Sequence, residues 1–166
     1  MKKISRRQVG IVIFIFLYPI ANIFLNNVPN PMVPESFIAL NMIFPILCGF
    51  LYGPKSGFIS GALGLGISTL IFGSLYDAAG VLPCSIMGYV AGVIGKKGVE
   101  FTSSLSIFLG HTLNLIFFYR MGFMKFNINE FGPVFLGVIA ESTIDILAIV
   151  LLGYLLKKKF YEVNRW

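Results

Sequence analysis

The chain has 166 residues, 57% of them hydrophobic and only 12% charged, with a formal charge of +6. A soluble domain spends about a quarter of its residues on charge, so this balance excludes an ordinary water-soluble fold. The positive charge does not point to nucleic acid either, because the basic residues cluster at the ends of apolar segments, which is the pattern of membrane topology.

Six stretches are long and apolar enough, or nearly so, to cross about 30 Å of hydrocarbon, which takes about 20 residues as a helix. They cover about 8–26, 37–53, 54–73, 81–96, 101–119 and 131–156, and together predict a single all-α domain of six transmembrane helices in one compact bundle. The first follows a basic start, as in a cleaved signal peptide. No small-x-small cleavage site follows it, and "NNVPNPMVPES" leads into more apolar sequence, so it is read as a membrane helix. Pro19 and Pro45 fall inside helices and are expected to kink them. The second and third helices meet at "YGPKSG", where Gly53 suits a helix end and Pro54 a first turn. Pro83 and Pro133 are expected to open later helices in the same way.

Through the third segment Gly53, Gly57 and Gly61 recur every four residues, beside a second small row of Ser60, Gly64 and Ser68. Rows of small residues let helix backbones approach closely in lipid. Two uses are open: packing inside the bundle, or docking of another membrane subunit through Gly53, Gly57, Gly61 and Gly64.

Placing the N-terminus in the cytoplasm puts Lys2, Lys3, Arg6, Arg7, Lys55, Lys96, Lys97, Lys157, Lys158, Lys159 and Arg165 inside and only Arg120 and Lys125 outside. By the excess of basic residues in cytoplasmic loops, both termini are expected in the cytoplasm. The outer side then carries the connections 26–36, 73–80 and 120–131, longer and more polar than the inner turns.

Candidate site residues gather toward that side. Glu141 and Asp145, at i and i+4, share one face of the last helix far from its ends. An ionisable group at that depth costs at least about 2.5 kcal/mol and calls for a partner or a function. His111 and Asn114 share a face of the fifth helix, with Thr112 between them, and a His111 to Glu141 contact is expected. Tyr76 is read either as stacking on a flat ring or as an interfacial belt residue. Asp77 is read as a hydrogen-bond acceptor or a helix cap. Asn41 is expected to face the interior, and Asn30, Glu35 and Ser36 to flank the second helix. Tyr18, Asn22 and Asn26 form a stripe on the outer half of the first. The cluster is read as the floor of a ligand pocket, as a packing network or as a proton relay. Paired carboxylates favour a donor-rich or cationic solute.

No nucleotide-binding loop, Ser/His/Asp set, CxxC or HExxH occurs, so neither an enzyme nor a cofactor is expected. Cys48 and Cys84 lie in separate segments, and no spacing suggests a metal site.

"LNMIFPILCGFLYGPKSGFISGALG" followed by "FGSLYDAAGVLPCSIMGYVAGVIGKK" resembles the substrate-binding S component of energy-coupling factor (ECF) transporters. The likeness lies in length, six-helix layout, the G-P-x-x-G break opening the third helix and the glycine-rich fourth helix. It implies a membrane subunit that captures a vitamin or similar micronutrient at its outer face, driven by a coupling T subunit and two ATPase subunits. The small-xxx-small pair that some members carry on the first helix is absent from "VGIVIFIFLYPIANIF", so docking would use other small residues. The histidine-rich N-terminus of the nickel and cobalt members is also absent, which argues against a transition-metal substrate. Two alternatives stay open: a scaffold protein of the MreD type, and a proton-coupled carrier using Glu141 or Asp145. Against the first, Leu65 and Gly66 stand where such scaffolds place an acidic residue; against the second, no inverted repeat is evident.

Overall fold

The structure, a computed structural model, describes residues 5–25, 39–123 and 131–163. Its elements are α1 (Arg6–Leu25), a 3-10 turn (Leu40–Met42) running into α2 (Ile43–Tyr52), α3 (Pro54–Phe72), α4 (Leu75–Ile94), a second 3-10 turn (Gly95–Lys97), α5 (Val99–Arg120) and α6 (Phe131–Val163). The described chain is all-helical. Five of its helices are long and apolar enough to cross a membrane, and the sixth, Leu40–Tyr52, is shorter.

Several boundaries differ from the sequence reading, α6 for one running on to Val163. The fourth helix begins at Leu75 rather than Val81, because Ser74 caps it: the Asp77 backbone N–H donates to Ser74 Oγ at 3.1 Å. Most of the expected 73–80 connection is therefore helix, and the turn shrinks to Gly73 and Ser74. Gly73 ends α3 in the left-handed conformation, at φ 67°. Pro83 consequently lies well inside α4 instead of opening it. Pro45 moves the other way, into the first turn of α2, where its missing N–H costs no helical bond.

Helices α2 and α4 form the centre: α4 packs on α2, α3 and α5, α1 lies against α3 and α2, and α6 against α5. The glycines explain how closely the centre packs. A methyl at Gly57 would overlap the Gly88 carbonyl and stand 2.7 Å from the Gly49 Cα, so the backbones of α2, α3 and α4 meet at one point. A methyl at Gly61 would stand 2.7 Å from the Cys84 carbonyl oxygen, and one at Gly64 2.8 Å from Tyr18 Cβ. Around this contact lies an apolar core of Ile46, Leu47, Cys48, Met87, Ala91, Ile107 and Ile149.

The two ends of the bundle differ in charge. Arg7 donates to the Tyr52 carbonyl at 2.6 Å, Tyr154 bonds Glu100, and Lys157 sits 5.9 Å over the Phe50 ring. These contacts bring the start of α1, the end of α2, the start of α5 and the end of α6 to one basic end. The sides of the bundle are apolar, with Phe24, Leu70 and Phe108 among many exposed hydrophobic residues. Such a surface suits acyl chains and would be an aggregation liability in water.

Candidate functional site

Toward the basic end the buried polar groups are mainly hydroxyls, such as Thr102, Ser103 and Ser106; away from it, amide and ionisable side chains enter the interior within one helical turn. On α5, His111 follows Ile107; on α6, Asp145 precedes Ile149; on α1, Asn22 follows Tyr18. All six are buried. Polar groups in such a place must find partners, since an unpaired one costs about 1–3 kcal/mol.

One half of the layer is tied together by its own hydrogen bonds. Asn41, beside α2, donates through Nδ2 to Asn22 Oδ1, and Asn22 in turn donates to Ser68 Oγ on α3. Asn22 and Ser68 both reach Asp77 Oδ2 on α4, at 3.4 Å each. Four helical segments are thus tied by side chains at one level. Asp77 thus accepts from side chains of the bundle itself, and the capping side chain is that of Ser74, to which the Asp77 backbone N–H donates.

The other half is less complete. His111 Nε2 stands 3.5 Å from Asp145 Oδ2, too far for a normal hydrogen bond. Glu141 turns elsewhere, accepting the Ala39 backbone N–H on Oε1 at 2.9 Å. The carboxylate nearest His111 is therefore Asp145 and not Glu141, although one ligand atom from each of His111, Glu141 and Asp145 lies within 4.8 Å of the others. Asn114 completes this half on α5. His111 Nε2, Asn114 Oδ1, Asn41 Oδ1 and both Asp145 oxygens are buried with no hydrogen-bond partner among the described residues. Tyr18, on α1 one turn before Asn22, is buried, and its hydroxyl accepts from Cys84 Sγ at 3.9 Å. Gly80 lies close by on α4: a methyl there would stand 3.2 Å from Leu65 Cδ2 and 3.7 Å from Asn114 Oδ1.

Tyr76 lies at the rim, 55% exposed, its ring centroid 5.6 Å from that of Phe118 and 5.1 Å from that of Phe123. Thr112 faces outward and bonds the Phe108 carbonyl instead of joining the layer. Glu35, with Asn26, Asn30, Ser36 and Lys125, lies outside the described residues. Of the glycines expected to dock a partner, Gly57 and Gly61 meet α4 and Gly64 meets α1, while a methyl at Gly53, in the α2–α3 turn, would meet nothing within 4 Å. Ser68 escaped the sequence reading as a site residue because its place in the small-residue row marked it only as packing.

Against this geometry, the profile of a family described as ECF-type riboflavin transporter, S component, matches residues 3–162. The chain belongs to that S component family. Neither a curated protein nor a solved structure matches it. As an S component it is a multi-pass membrane protein and a substrate-binding subunit of an ECF transporter, a class whose members serve transport rather than catalysis. For an S component, a buried layer of unsatisfied donors and acceptors in a lipid-facing bundle is the feature to explain.

Proposed function

We propose that this S component captures riboflavin, or a closely related flavin, from the outer side of the cell membrane and holds it at the polar layer. The observation that carries the reading is the set of buried, unpaired atoms on His111, Asn114, Asn41 and Asp145 at one end of the bundle; the name of the matched family supports the choice of solute. Riboflavin is neutral and rich in donors. Its pyrimidine edge alternates carbonyl acceptors with an N–H, and its ribityl chain adds four hydroxyls. Asparagine amides offer both kinds of partner to such an edge, and carboxylates accept from hydroxyls. The Tyr76, Phe118 and Phe123 rings stand at the rim to stack on a flat tricyclic ring. Glu141, with Glu35 from outside the described residues, belongs to the same proposed pocket.

The outward placement is supported by the basic residues at the opposite end, since cytoplasmic loops carry the excess of Lys and Arg; in this reading both termini lie in the cytoplasm. In this reading the chain forms one transmembrane domain working with a T subunit and two ATPase subunits. With Gly57, Gly61 and Gly64 covered by the chain's own helices, a partner docks on other faces.

The test is titration of detergent-purified protein with riboflavin, followed by quenching of flavin fluorescence. Saturable binding of about one flavin per chain, weakened at least tenfold by Asn114→Ala, supports the reading. A wild-type protein that neither quenches flavin nor gains thermal stability with it removes the assignment.

A further inference from the structure

We infer that His111, Glu141 and Asp145 bind a divalent transition-metal ion within the polar layer. Three observations converge. First, the donor atoms are already grouped within 4.8 Å, on two neighbouring helices and not along one flexible loop. Second, the spacing of the His111–Asp145 pair suits coordination better than hydrogen bonding, and a small side-chain shift of Glu141 would bring the third donor, now within 4.8 Å, to the same ion. Charge-assisted N–H···O bonds run about 2.7–2.9 Å, whereas His111 Nε2 and Asp145 Oδ2 stand 3.5 Å apart. Ligand atoms about 2.0–2.2 Å from a shared tetrahedral ion stand about 3.3–3.6 Å from each other. Third, the donors are buried and unpaired: His111 is 6% exposed and Asp145 0%, and neither His111 Nε2 nor either Asp145 oxygen has a hydrogen-bond partner among the described residues.

Charge points the same way. The described lysines and arginines all sit near helix ends, so no basic side chain other than His111 stands beside the two carboxyl groups. A divalent ion bound by neutral His111 and both carboxylates brings the group to zero. The imidazole donor selects a Zn²⁺-like ion over Mg²⁺ or Ca²⁺, which prefer all-oxygen shells. Ala39 occupies only Oε1 of Glu141, leaving its second oxygen for the ion. Three protein donors leave at least one coordination position for water or for an oxygen or nitrogen of the captured solute.

The test uses full-length protein in detergent, stripped with chelator and dialysed against Zn²⁺ or Co²⁺ with excess Mg²⁺ and no flavin. The expected result is about one Zn²⁺ per chain by elemental analysis. Co²⁺ should give visible d–d bands without a thiolate charge-transfer band, since neither cysteine is among the ligands. His111→Ala and Asp145→Asn should each lose the ion, and Thr112→Val, which alters only the outward face of α5, should keep it. Absence of both retained Zn²⁺ and Co²⁺ bands in the wild type overturns the proposal, as does a thiolate band or retention by the His111→Ala/Asp145→Asn double variant. The wild-type spectra decide even where a variant fails to fold. Riboflavin titration of the same samples separates the two readings: flavin binding without metal binding sinks the ion alone, and the converse sinks the flavin alone.

Discussion

His111 on α5 and Asp145 on α6 face each other across the bundle interior, 3.5 Å from Nε2 to Oδ2, each one turn beyond a fully buried isoleucine. Removing one member of a buried pair leaves the other without compensation and costs about 3–5 kcal/mol. In chelator-treated protein, His111→Ala and Asp145→Asn should each lower stability, and the double variant should be less damaged than the sum by at least about 1 kcal/mol. Unfolding in detergent by denaturant measures this. Additive losses would mean that the two side chains do not interact.

The meeting of Gly49, Gly57 and Gly88 makes a second prediction. A side chain at Gly57 meets backbone, which cannot rotate away, so Gly57→Val should destabilise the protein by about 1–3 kcal/mol or more, as overpacking does. Gly66, on the same helix, is different: a methyl there would meet nothing within 4 Å. Gly66→Ala should therefore be neutral or stabilising by up to about 1 kcal/mol through helix propensity. Melting temperatures of the two variants, moving in opposite directions, are the check.

The sequence made the helical bundle legible because span length and apolarity are properties of the chain itself, fixed by the thickness of the hydrocarbon. It misplaced the start of α4 because Pro83 suits a first turn. The stronger signal was Ser74 with Asp77 three residues on, which starts the helix at Leu75, six residues earlier. The intramembrane acids could be recognised as exceptional from composition. Which of them approaches His111 could not be, since Glu141 and Asp145 differ by about one turn, or 5.4 Å, and sequence fixes relative helix depth no better than that. Ser68 and the Ala39 N–H depend on tertiary contact, which no spacing rule expresses.

The bond from Ala39 N–H to Glu141 Oε1 fixes the entry to α2 against α6. A hydrogen bond to a carboxylate contributes about 1.5–3 kcal/mol, equivalent to about ten- to hundredfold in a local opening equilibrium. Hydrogen exchange at Ala39 should accelerate by about that factor in Glu141→Ala and by less in Glu141→Gln, whose amide oxygen still accepts. Unchanged exchange in Glu141→Ala would show that the bond does not hold this segment.

Tyr76 separates binding from stability. It is 55% exposed and lies within the Phe118–Phe123 group, so its truncation removes rim contacts without opening the core. Tyr76→Ala should weaken riboflavin binding about fivefold to tenfold, in line with the roughly 0.5–1.5 kcal/mol that an aromatic pair contributes beyond burial. Its melting temperature without flavin should stay close to that of the wild type, and Tyr76→Phe, which keeps the ring, should bind nearly normally. Equal loss in the Phe and Ala variants would assign the effect to the hydroxyl instead of stacking. Wild-type affinity in both would place the flavin away from this rim.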